Sequence, residues 1–454
     1  MSNSLFEDFP SVSAKQWKQK IQFELMGADY NQTLHSQTQE GISIKPFYHS
    51  DDFKQLEISE GPSDFEICQT IFVNNEKTTN YLAIDALNRG ANVIKFIAVK
   101  PFDFDLLFKG LNKSSSNKKL KVFFQFQFLN EKFLLDLIHF IKQKHVFINI
   151  DIIGNLVKKG NWFHNHKKDH QILKNILKSA KYPITILEVD ASHYQNSGAN
   201  VVQQIAYALA HANEYLNYFE SEIGSKINFK FSIGSNYFLE IAKLRAFRYL
   251  WNLLNIEYNQ TIEANIFSEP SLRNKCIYDY NTNMLRTTTE CMSAILGGAN
   301  TISNVSYDSV FHKKNEFGER IARNQLLILK EESHLKNSDF VNGAYFIEQM
   351  TYEIAEKALS LFKNIEKSGG FIKQLFNGTI QRKIDESAKK EQQNFDNKES
   401  VLLGINKYTN EDDKMKHDIE LYPFLKTKSY ETIIQPVIAK RLAEKIEQER
   451  LANE

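Results

Sequence analysis

Residues 282–332 read TNMLRTTTECMSAILGGANTISNVSYDSVFHKKNEFGERIARNQLLILKEE. Ala294, Ile295 and Leu296 close an apolar run. Gly297-Gly298 then supplies a residue able to take positive φ past a helix C-terminus. Residues 299–305 have the β-branched content of a strand, and Ile321, Gln325, Leu326 and Leu329 restore a helical period. Helix, glycine stop, strand, loop and helix make one unit of an alternating α/β fold.

The same alternation extends outward from this unit. Candidate strands lie at 92–98 (NVIKFIA), 121–128 (KVFFQFQF), 146–152 (VFINIDI), 183–189 (PITILEV), 227–233 (INFKFSI), 261–267 (TIEANIF), 299–305 and 401–406 (VLLGIN). Amphipathic stretches such as 201–219 and 237–254 separate most of them. Eight strands, each followed by a crossover, predict a (β/α)8 barrel rather than an open sheet. The barrel is expected over residues 66–410, after an N-terminal arm (1–65) and before a tail (411–454). In the arm, Ser13 can cap a helix that Gly27 stops, with Trp17, Ile21 and Leu25 recurring every four residues. The arm has too little apolar content for a core of its own, yet carries Phe6, Phe9, Trp17, Phe23, Phe47 and Tyr48. Residues 113–119 (KSSSNKK) read as a solvated turn, 384–400 as a polar surface helix, and 437–453 as a tail helix striped by Val437, Leu442 and Ile446.

Composition narrows the function classes. The 454 residues carry 56 Lys+Arg against 55 Asp+Glu, a net +1, so no concentrated basic face for nucleic acid or anionic lipid is expected. Three scattered cysteines give neither a disulfide framework nor a CxxC metal site. MSNSLFEDFP lacks the basic and apolar regions of a signal peptide, and no run of 18 apolar residues occurs, so a cytoplasmic protein is the expectation. P-loop, GxGxxG and GxSxG motifs are absent. His164, His166 and His170 in WFHNHKKDHQ read as an exposed loop rather than a metal site, since Asp169 is the one carboxylate beside them. In 121–128, alternation puts Phe124, Phe126 and Phe128 on one face and Phe123, Gln125 and Gln127 on the other. Whichever face points inward, the barrel is filled.

The opening segment, with RTT-E-A-x-LGG and RIARNxxxILxEE wording, closely resembles the barrel domain of methylmalonyl-coenzyme A mutases. The resemblance reaches the arm, where FPSVSAKQWKQKIQFELMGADY and EGISIKPFY look like the segment that wraps the partner subunit in that family. It implies adenosylcobalamin radical chemistry interconverting methylmalonyl-CoA and succinyl-CoA, and it implies where the reacting residues of catalytic members would fall.

At those positions this chain departs from the pattern. Catalytic members carry R-Q-Y-A-G-F-S-T-A near the first strand, with a Tyr that shields the radical; residues 68–74 here read CQTIFVN, placing Thr70 at that position. Their T-I-Q-N-D-I-x-K-E-x-x-x-R-G motif uses Gln and Arg on the substrate. Here 147–160 reads FINIDIIGNLVKKG, putting Asn149 and Lys159 there, and an ammonium does not reproduce a bidentate arginine fork. Their G-Y-H-x-Q-E-x-G-A loop survives as SHYQNSGA, keeping His193 but replacing the Tyr by Ser192 and the Glu by Asn196. No Asp-x-His, the start of the cobalt-ligating loop, occurs in the sequence. The resemblance therefore points to a small, non-catalytic subunit without a cobalamin domain, binding neither cofactor nor metal itself. Its partner would be a large catalytic subunit holding adenosylcobalamin. A working mutase barrel with its cobalamin domain on a separate chain and a standalone acyl-CoA binding module are the alternatives, opposed respectively by Thr70 with Lys159 and by the Phe-rich strand.

Overall fold

Strands buried on both faces read as continuous runs of Val, Ile and Phe, and they need neighbours on both edges. In the computed structural model, which describes residues 9–54, 56–111, 120–141, 145–180, 184–223, 226–425 and 431–454, closure meets that need. Eight parallel strands form a closed barrel in sequence order. They are β1 (Glu66–Phe72), β2 (Val93–Ala98), β3 (Lys121–Phe126), β4 (His145–Ile150), β5 (Thr185–Asp190), β6 (Lys226–Ile233), β7 (Glu263–Pro270) and β8 (Thr301–Ile302). The short β8 joins β7 to β1.

The opening segment folds as its pattern dictates. The helix Thr282–Leu296 ends before Gly298 at φ +85°, β8 follows, and the helix Glu316–Leu327 resumes. Three expectations are corrected. Residues 401–406 are a turn, with Gly404 at φ +78°, and the remaining barrel strand is β1 instead. The tail is helical only over Glu444–Ala452, while Val437 and Leu442 lie in a non-helical segment, both buried. His166 and His170 belong to the helix His166–Ser179, capped by Asn165, rather than to a loop. The expected turn at 113–119, and Phe6, fall outside the described residues.

Alternation sends Phe123 inward. Its ring stacks on Phe147 at 4.3 Å between centroids and meets Phe267 at 5.2 Å. Since β3 and β7 stand across the barrel from each other, that second contact passes through the axis. Cys68 and Val93 complete this apolar layer. Phe124, Phe126 and Phe128 face outward into a cluster that includes Phe133. The barrel is thus plugged across its middle. Phe123→Ala should cost about 3–5 kcal/mol by chemical denaturation, and a loss below about 1 kcal/mol would mean that the plug is not tightly packed.

The arm helix Ala14–Glu24 carries a complete capping box between Ser13 and Gln16. None of its residues is buried, although Trp17 stacks on Phe47 at 5.0 Å. Among the described residues no helix is long and apolar enough to cross a membrane.

Candidate functional site at the barrel mouth

Charged residues in the middle of buried strands cost free energy unless they are paired. Lys95, Glu188, Asp190, Lys230 and Glu269 are such residues, and together with Lys158 they make an ionic layer on the C-terminal side of the phenylalanine plug. Lys230 Nζ lies 2.6 Å from Glu269 and 3.9 Å from Asp190, and Lys95 lies 3.9 Å from Glu269. Lys158 and the Ser192 hydroxyl both bond the Asp190 carboxylate. Burial works against ionisation of Asp190, yet Lys158 and Lys230 hold its carboxyl well below the usual range. Burial and the neighbouring Asp190 push Glu188 up to about 8, so it is largely neutral at pH 7.

The sequence-predicted residues come together only in part. Asn149 and Lys159 line one cleft of about 280 Å³, bounded by Gln125, Phe128, Phe163 and Glu188. Ser192 and His193 line a second cavity of about 510 Å³, with Arg273 and Arg441. Thr70 lies apart, its hydroxyl 2.9 Å from Ser303 and its carbonyl accepting from Lys314 Nζ at 2.5 Å. Of the two adjacent lysines, Lys158 reaches Asp190, whereas Lys159 sits at the rim, 5.5 Å from the Phe163 ring centre. Sequence reasoning passed over the ionic layer, although a lone charge inside NVIKFIA, ITILEV and INFKFSI was its readable signal.

The chain's own tail lies along one side of the mouth. Residues 431–442 run over the C-terminal face from the helix Ile152–Lys159 after β4, past the short helix Ser192–Asn196 after β5, to the loop after β7. Ile433 and Ile434 N–H donate to the Gly160 carbonyl at 3.0 and 3.2 Å. Val437 N–H donates to Val157, Lys440 N–H to Asn196 and Leu442 N–H to Arg273. Gly160, at φ +70°, makes the approach possible, because a Cβ there would come within 2.5 Å of the Ile434 carbonyl oxygen. His193 Nε2–H donates to the Val437 carbonyl at 2.6 Å. Its hydrogen-bonding nitrogen is already committed to a carbonyl of the protein itself.

Burial and the Lys158 ammonium push the His193 imidazole down to about 4. Between the ordinary value near 6.5 and about 4, the unfolded chain takes up a proton that the folded chain refuses. Stability should therefore fall as pH drops through that window. His193→Gln keeps a donor for Val437 without the titration, and its urea midpoint should fall less between pH 7 and pH 5. Equal falls in the two proteins would remove His193 as the cause.

Among the described residues no group of three or more His, Cys, Asp or Glu is arranged to hold a metal. In the histidine-rich segment, His164 Nδ1 lies 2.9 Å from Asp169 and His170 Nδ1 donates to the His166 carbonyl.

The chain is similar to several known proteins. The family model described as methylmalonyl-CoA mutase matches residues 141–450. The methylmalonyl-CoA mutase small subunit of Porphyromonas gingivalis is 31% identical over 442 residues, covering 89% of this chain and 71% of that protein. The methylmalonyl-CoA mutase of Cereibacter sphaeroides is 32% identical over 275 residues, covering 58% of this chain, and the matched region is 39% of that protein's length. Among solved structures, a Yersinia pestis DHPS is similar with a TM-score of 0.33 and 10% identity, covering 66% of this chain and all of that one.

Proposed function

Because the chain belongs to the methylmalonyl-CoA mutase family, we propose that it is the small, non-catalytic subunit of a two-subunit mutase. In this reading it supports a large subunit that interconverts methylmalonyl-CoA and succinyl-CoA with adenosylcobalamin. The observation that carries the reading is the tail bonded along one side of the mouth. The tail strap lies over the face where substrate and cofactor would meet, and His193 spends its donor on Val437. Beneath the strap, Phe123, Phe147 and Phe267 fill the axis that an acyl-CoA arm would need.

The residues present do not fit a corrin. A macrocycle needs an open mouth, and here that surface is bonded to residues 431–442 through backbone groups of Val157, Gly160, Asn196 and Arg273. No step of the reaction is therefore assigned to this chain. Thr70, Asn149, Lys159, Ser192 and His193 are read as remnants of a site whose chemistry resides in the partner.

Copurification from the source organism tests the assignment. A tagged chain is expected to bring down a larger mutase subunit carrying cobalamin, in equimolar amount. Recovery of the chain alone, with mutase activity in the flow-through at full yield, would overturn it.

A further inference from the structure

Between the helices Tyr345–Lys367 and Phe371–Phe376 the chain turns on Gly369 and Gly370, at φ +103° and +89°. Two consecutive residues at positive φ make a joint that glycine alone adopts without strain. The joint sits on a carboxylate. A Cβ at Gly370 would come within 2.8 Å of Glu214 Oε1, and the Ile372 N–H donates to the same oxygen at 2.9 Å. A second carboxyl, that of Glu366 in the last turn of the longer helix, lies near the first. Its Oε2 accepts from the Asn213 amide at 2.8 Å, while its Oε1 is buried without a partner. A buried oxygen left in that state calls for an explanation.

The elements packed around Glu366 bring no counter-ion to the pair. The helix Val201–Phe219 presents Asn213, Glu214 and Asn217. Tyr258, just past the helix Tyr237–Glu257, holds its hydroxyl 2.6 Å from both Asn213 Oδ1 and Asn217 Oδ1. On the short helix, the Lys373 side chain lies against Gly369, and on Glu366's own helix Lys363 and Lys367 are exposed. Among the described residues, Glu214 is the one charged group that acts on Glu366. Burial disfavours the ionised form, and so does a like charge with nothing to offset it. Burial pushes the Glu366 carboxyl up to about 7, with Glu214 adding to the shift and the Asn213 hydrogen bond opposing it.

We propose that Glu366 is a proton-operated lock on the Gly369–Gly370 joint. Neutral, it lets the helix Phe371–Phe376 seat on the helix Val201–Phe219, where Phe371 stacks on His211 at 5.7 Å. Ionised, it repels Glu214 and loosens that seat. The next helix, Thr379–Asp396, carries Gln381 and Gln392, which donate to the Gln435 and Leu442 carbonyls of the tail at 3.1 and 3.3 Å. The lock therefore stands at the root of an element that holds the strap. It goes beyond the subunit assignment and is read on this chain alone.

Stability from the neutral form is present below the ordinary value near 4.5 and is lost as pH rises through about 7. The His193 effect has the opposite sign and lies at the mouth, so the test must read the joint locally. Hydrogen exchange with mass spectrometry on the full chain, corrected for intrinsic rates, does so. With Glu366 at its ordinary value in the opened joint, linkage makes residues 371–376 about tenfold less protected at pH 8 than at pH 6. Glu366→Gln, neutral at both, should bring that ratio close to one. Glu214→Gln removes the repelling charge, keeps an oxygen for the Ile372 N–H, and should shrink the ratio. Equal protection of the wild-type segment at the two pH values overturns the lock, as does an unchanged ratio in either variant. Glu214→Gln alone decides if Glu366→Gln does not fold.

Discussion

Purified alone and given methylmalonyl-CoA with adenosylcobalamin, the chain is expected to form no succinyl-CoA and to leave the corrin absorbance unchanged. Each missing interaction is severe by itself. Removing one donor aimed at charge developing in a transition state costs roughly 10²–10³ in rate. Here His193 is engaged by Val437, Lys159 sits at the rim near Phe163, and Thr70 offers no ring. The phenylalanine plug adds a steric barrier that restored side chains do not remove. Thr70→Tyr combined with Lys159→Arg should therefore remain inactive. Succinyl-CoA above background from either protein, without a large subunit, would falsify the pseudoenzyme reading.

The sequence made the barrel legible because strands buried on both faces repeat apolar residues without regard to tertiary detail. Residues 121–126 and 227–233 need no context to be read as strands. The eighth strand was misplaced for a physical reason. VLLGIN has strand composition, but Gly404 turns it, whereas β1 alternates Glu66, Cys68 and Thr70 with Ile67, Gln69 and Ile71 and so looks less apolar than its burial. The tail failed differently. Residues 437–442 have a helical period, yet their backbone groups find partners on the barrel rim, and tertiary hydrogen bonds outweighed local propensity.

The candidate site residues were read one by one, and their arrangement was not. Thr70, Asn149, Lys159, Ser192 and His193 could be located from the wording of three segments. That His193 would meet a carbonyl 244 residues away is invisible to any local pattern. The ionic layer was recoverable in principle, since charges at the centres of Lys95, Glu188 and Lys230 strands demand partners. Which carboxylate meets which ammonium follows only from barrel closure. The phase of the helix Ile152–Lys159 also decided that Lys158, not Lys159, turns toward Asp190.

Removing the arm helix is expected to abolish association with the large subunit while leaving the barrel folded. The helix Ala14–Glu24 buries no residue, its Phe23 is 81% exposed, and Phe9 and Met26 flanking it are 72% and 94% exposed. Large apolar side chains gathered on an unpartnered element mark an interaction surface. Its ties to the rest of the chain are few: Trp17 on Phe47, Lys18 over Tyr30, and Ala14 N–H to Asp51. A cut at residue 45 would also remove Ile42, which is fully buried in the main core, and the buried Tyr30. The clean truncation is therefore residues 1–28. Aromatic anchors at the centre of an interface each contribute about 2 kcal/mol or more, so losing the helix should weaken binding well over a hundredfold. Phe23→Ser with Met26→Ser should reproduce much of that loss without shortening the chain. Size-exclusion chromatography with purified large subunit reads both variants, and an unchanged melting temperature separates lost contact from lost fold. Full-yield complex from the truncated chain would place the partner surface elsewhere on the barrel.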